Sequence, residues 1–89
     1  MKLVVTVVGR DRVGIIAMVS RELADKNVNI VSINQNIMDG FFNMVMIAEA
    51  DKDKVKLSEL QQVLKDKGDE MNLEIKVQHE DIFNVMHNV

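Results

Sequence analysis

Three stretches of this chain carry side chains with chemical reach. The first is Gly9-Arg10-Asp11-Arg12-Val13-Gly14, in which two cations flank a carboxylate between two glycines. Glycine lets a ligand approach the backbone closely. A helix beginning just after Gly14 would offer unpaired N–H groups that favour a carboxylate. Asp11 beside them could receive an ammonium, so the loop suits the two ends of an α-amino acid. The second stretch is Asn29-Ile30, where the Asn29 amide supplies both a donor and an acceptor. The third is His79-Glu80-Asp81 with His87, residue types that ligate metals. Zinc needs three or four convergent ligands, and adjacent Glu80 and Asp81 would diverge on an extended backbone. These residues therefore read as structural, and no metal or other cofactor is expected.

The elements that must position these groups follow from periodicity. Lys2 to Val8 is a β-branched run of strand length. Ile15, Ile16, Val19 and Leu23 then recur at helical spacing, with the helix expected to end near Lys26-Asn27. From Val28 to Met38, Val31, Ile33 and Ile37 share one parity, while Ser32, Asn34 and Asn36 share the other. That alternation predicts a half-buried strand with one polar face. Asp39-Gly40 is a hairpin signal, because a type I′ turn needs positive φ at both central residues. The return strand runs from Phe41 to Ala50, with Phe42, Met44, Met46 and Ala48 on one side. Leu57, Leu60, Leu64 and Met71 share a helical stripe that includes Gly68, and Ser58 with Gln61 has capping-box spacing. Gly68 either lets this helix approach the sheet closely or ends it early. Leu73, Ile75 and Val77 alternate with Glu74, Lys76 and Gln78 in a last strand. The remaining tail, with Ile82, Phe83 and Met86, is too apolar for a free end. Most of the methionines read as core filler.

The order β-α-β-β-α-β predicts an α+β, ferredoxin-like fold: a four-stranded antiparallel sheet with two helices on one face, plus a short C-terminal tail. The expected division is a domain over residues 1–80 and a tail over 81–89 that packs on the sheet or on a partner chain. The strand after the first helix is then a sheet edge, which invites pairing with another chain. On the open face, Val4, Phe41, Val45 and Ile47 would form an apolar patch unless the tail covers it.

The chain has 89 residues, no cysteine and a formal net charge of -3. Absence of cysteine removes disulfides, thiolate metal sites and cysteine nucleophiles. A negative balance gives no nucleic-acid footprint, and only Phe41 could stack a base on the open face, so no nucleic-acid partner is expected. No apolar run approaches the length that spans a bilayer; no membrane partner is expected, and a cytoplasmic protein is the default. Arg10 and Arg12 raise a small acylphosphatase-like hydrolase as an alternative. Against it, no arginine follows until Arg21, and Ser20, Ser32 and Ser58 have no histidine nearby in sequence.

Asp11-Arg12-Val13-Gly14-Ile15-Ile16-Ala17, followed by Asn27-Val28-Asn29-Ile30, resembles the ACT domain, an amino-acid-sensing module. The likeness spans residues 2 to about 78. Val5-Thr6-Val7-Val8-Gly9 leading to Asp11, Ser32-Ile33-Asn34-Gln35 and the ending Gln78-His79-Glu80-Asp81-Ile82-Phe83 narrow it to small standalone single-ACT proteins related to the glycine cleavage system transcriptional repressor. The resemblance implies a non-enzymatic regulator, working as a homodimer or higher homo-oligomer, that binds a small molecule such as an amino acid between two chains. It implies loop contacts at Asp11, Gly14 and Ile15 and a cross-chain contact at Asn29 and Ile30, and it implies a protein target whose identity stays open. The alternative within the family is a ligand-free structural dimerisation module.

Overall fold

The structure is a computed structural model that describes residues 1–87, with side chains described through residue 84. Its elements are β1 (Lys2–Arg10), α1 (Ile15–Asp25), β2 (Asn29–Met38), β3 (Phe41–Glu49), α2 (Leu57–Glu70), β4 (Leu73–His79) and α3 (Glu80–His87). The strands form one sheet in the order β2-β3-β1-β4, with every neighbouring pair antiparallel. This is the expected α+β, ferredoxin-like βαββαβ plan.

Period-2 alternation on the strands and helical stripes on α1 and α2 meet in one core. Leu3, Val5 and Val7 of β1 lie beside Phe42, Met44, Met46 and Ala48 of β3 and Leu73, Ile75 and Val77 of β4. Ile15, Val19 and Leu23 of α1 and Leu60 and Leu64 of α2 close over the same face. Gly68 does not end α2. A β-carbon at Gly68 would stand 2.8 Å from the Leu73 carbonyl oxygen and 3.1 Å from Ile75 Cδ1, so the bare α-carbon is what lets α2 lie against β4. The hairpin turn is as expected, with φ of 53° at Asp39 and 82° at Gly40.

Four expectations are corrected. First, β2 is not half-buried. Val31 is the extra residue of a bulge between Ile30 and Ser32, which takes it out of phase with Ile33 and Ile37. The residues from Val31 to Met38 are all exposed, because both helices lie inboard of this edge. Second, among the described residues no side chain caps α2; its N-cap is Lys56, and Gln61 reaches instead to the Val77 carbonyl. Third, Met44 and Met46 are core residues, but Met38 is exposed on the edge strand. Fourth, Glu80 and Asp81 stand in the first turn of α3 rather than on extended backbone.

α3 packs on β1 and β4. Val4 lies outside the core cluster yet is 1% exposed, because α3 covers it on the opposite face of the sheet. Phe41 and Val45, nearer the hairpin, stay exposed on that face. The side chain expected at Met86, together with Asn88 and Val89, lies outside the described residues.

Candidate functional site

The first loop is tied to the hairpin turn. The Asp11 N–H donates to the Gly40 carbonyl at 2.8 Å, one step beyond the β1–β3 ladder. The Arg10 guanidinium stacks 5.2 Å from the centroid of the Phe41 ring. Arg12 and Val13 project into solvent. Gly14 is the N-cap of α1 with φ 95° and ψ 0°, a left-handed conformation that glycine adopts without strain. Its carbonyl accepts the Met18 N–H at 2.9 Å and so opens the helix.

Among the described residues no side chain caps the start of α1, so its first amide N–H groups lack a side-chain partner there. Asp11, the nearest candidate for that role, does not fill it. The carboxylate of Asp11 is exposed and makes no hydrogen bond or ion pair among the described residues. Uncapped amides and an unengaged carboxylate thus stand a few residues apart, donors for an anion and an acceptor for a cation. The Ile15 side chain is buried in the core, so that residue can offer only its backbone here.

Asn29 and Ile30 are at the other end of the sheet. Asn29 and Lys2 both stand opposite Glu49, whereas Arg10 and Met38 both stand opposite Phe41. At about 3.3 Å per residue, the separation along the strands is roughly 26 Å. Within one chain the five residues form two groups, Asp11, Gly14 and Ile15 in one and Asn29 and Ile30 in the other.

The phase of the ladder shows which backbone groups face outward. The bonds Ala50 N–H to Met1 carbonyl and Asp11 N–H to Gly40 carbonyl bracket the β1–β3 pairing and turn the odd-numbered residues of β1 toward β3. Carried across the registers, this leaves Ile33, Gln35 and Ile37 facing outward from β2, and Leu73, Ile75 and Val77 facing outward from β4. β2 carries no charged side chain over its ten residues.

The edge at β4 is dressed differently. The Gln61 amide donates to the Val77 carbonyl at 2.7 Å. Lys65 donates to Asp69 at 2.9 Å along α2, and Lys76 stands 3.6 Å from Glu74 on the strand. The hydrogen bond to Asp69, and then its charge, hold the Lys65 ammonium above its ordinary pKa. A groove of about 740 Å³ runs between α2 and this edge.

No cluster of metal-ligating side chains occurs among the described residues. His79 is occupied locally: its Nδ1 accepts the Asp81 N–H at 3.2 Å at the start of α3. Among the described residues, no helix is long and apolar enough to cross a membrane. Sequence reasoning missed Gly40 and Phe41 as neighbours of the first loop. The Asp39-Gly40 turn signal was visible, but the register that brings it to Asp11 was not.

The fold, its family profile and its structural neighbours are those of a small-ligand-binding regulatory module. The chain belongs to the ACT domain family, whose profile matches residues 1–78. It is 47% identical over 88 residues to a UPF0237 protein of Methanosarcina mazei, spanning 99% of this chain and 96% of that one. It is 44% identical over 89 residues to a UPF0237 protein of Listeria innocua, spanning 100% of both. Among solved structures, an ACT domain protein from Streptococcus pneumoniae superimposes with a TM-score of 0.82 at 35% identity, over 93% of each chain. A protein described as a glycine cleavage system transcriptional repressor shares the fold, with a TM-score of 0.76 at 23% identity, over 89% of this chain and 47% of that one.

Proposed function

We propose that this chain is a non-enzymatic sensor that binds an amino acid at the first loop, across a dimer interface. The observation that carries the reading is the uncapped start of α1 beside the unengaged Asp11 carboxylate. The ligand's carboxylate would accept the free amides with help from the helix dipole, and its ammonium would face Asp11.

The uncharged β2 edge supports the dimer. Two-fold antiparallel pairing with Gln35 on the axis would set Ile33 against Ile37 of a second copy on one face, and Asn34 against Asn36 on the other. Counting outward past the bulge, Asn29 and Ile30 of the second copy would come level with Asp39-Gly40, the turn whose carbonyl holds Asp11. The two groups of candidate residues, separated within one chain, would then form one site.

Calorimetric melting in the presence of each of the twenty amino acids tests this; the chain has no tryptophan or tyrosine, so intrinsic fluorescence is a poor probe. A ligand at a hundred times its Kd should raise Tm by roughly 10 °C. Asp11→Ala and Asn29→Ala should each abolish the rise. A dimer that no amino acid stabilises would favour the ligand-free pairing module, for which the charge-free β2 edge is the supporting feature.

A further inference from the structure

We propose that Asn34 and Asn36 select the one alignment in which two copies of β2 pair, and so decide whether the two halves of the candidate ligand site meet. The inference rests on the dimer proposed above and assigns the residues that position it.

A strand pairing with its own copy can slide, because backbone donors and acceptors repeat along the whole edge. Only side chains can choose among the alignments. Asn34, Gln35 and Asn36 are exposed and make no side-chain hydrogen bond among the described residues. A primary amide carries both donors and an acceptor, so a second amide satisfies it.

With the two-fold axis on Gln35, every facing pair is like with like. Ile33 meets Ile37 of the second copy on the helix side, Asn34 meets Asn36 on the open side, and Gln35 meets Gln35. With the axis on Asn34, Gln35 faces Ile33 and Asn36 faces Ser32. With the axis on Asn36, Gln35 faces Ile37 and Asn34 faces Met38. Both shifted alignments set amides against isoleucines, and β2 has no charged side chain to override that mismatch. Asn43 stands opposite Asn36 in the β2–β3 ladder. The Gln35 alignment therefore runs a row of three amides across the seam: Asn43, Asn36 and Asn34 of the second copy.

Moving the axis by one residue slides the second copy by two, roughly 7 Å. That displacement carries its Asn29 and Ile30 away from the Asp39-Gly40 turn and from Asp11. Asn34 and Asn36 are thus positioning residues, which act on the site through the alignment alone.

The chain has no cysteine, so introduced thiols read the alignment directly. Ile33, Gln35 and Ile37 carry the outward backbone bonds, which leaves Asn34 and Asn36 of the second copy as a non-hydrogen-bonded pair. Their α-carbons would stand about 4.5 Å apart, within disulfide reach. Asn34→Cys and Asn36→Cys proteins are exposed to oxidised glutathione, separately and mixed. The mixture should form covalent dimer at least about tenfold faster than either protein alone. Faster cross-linking of Asn34→Cys alone reports an axis on Asn34, and of Asn36→Cys alone an axis on Asn36. Either result, or no cross-link in any arm, overturns the proposal. In sedimentation equilibrium, Asn34→Asp/Asn36→Asp and Asn34→Lys/Asn36→Lys should each lose at least about tenfold in self-association, and a one-to-one mixture should recover it. Undiminished association of either variant alone, or no recovery on mixing, also overturns it. The altered side chains are exposed, and circular dichroism confirms that the variants fold. A native chain that dimerises without the expected cross-link removes this proposal and leaves the dimer standing; a monomeric native chain removes both. No arm requires an amino-acid ligand.

Discussion

The two edges of the sheet are built on opposite terms. β2 is ten residues long, uncharged and bulged at Val31, and its outer part is exposed on both faces. β4 is seven residues long, alternates charge on its solvent face, and is flanked by α2 on one side of the sheet and α3 on the other. Natural sheets blunt their edges with charge, shortness and cover. β4 uses all three and β2 only the bulge. An edge left this open over such a length is suited to a long, symmetric ladder with another copy of itself. A short, charged edge covered by a helix is closed to such a ladder.

The largest expected effect comes from giving β2 the protection it lacks. Ile33→Lys puts a charge where the proposed ladder has an isoleucine pair, and should weaken self-association at least about hundredfold, roughly 3 kcal/mol. Sedimentation equilibrium measures it; an unchanged dimer would remove β2 from the interface. Next comes the seam between α2 and β4. Gly68→Ala improves helix propensity by about 1 kcal/mol, but its β-carbon meets the Leu73 carbonyl at 2.8 Å. The backbone oxygen cannot rotate away, so a net loss of about 2 kcal/mol is expected in denaturant unfolding. A gain in stability would show that α2 is not pressed against the strand. Smallest is Gln61→Ala, which removes the bond to Val77 and should cost about 1 kcal/mol without changing self-association. A change in mass with this variant would mean that β4, not β2, pairs chains.

The core was legible in the sequence because burial imposes a period. Phe42, Met44, Met46 and Ala48 alternate on β3, and Leu60 and Leu64 recur on α2, as the helix and strand repeats require. β2 was misread by the same rule. Alternation reports which residues could face a core, not whether one is there, and the helices stop short of Ile33 and Ile37. The bulge at Val31 leaves no mark in the pattern. Of the site, Gly14 and Asp11 were legible from residue type. The link from Asp11 to Gly40 was not, since it depends on the register between segments far apart in the chain. Val4 is the reverse case: it sits on the open face and is buried only because α3 arrives from the far end of the sequence.

The position of β1 has a consequence for synthesis. It is made before its partners, residues 41–49 and 73–79, yet it is an inner strand. Until those emerge, Val4, Val5, Val7 and Val8 have no strand to pair with, and only the β2–β3 hairpin can form from neighbouring residues. The sheet therefore closes around β1 only once β4 has been made. Folding of this small chain is governed by contacts between its two ends, which makes it slower than its helical content alone would suggest.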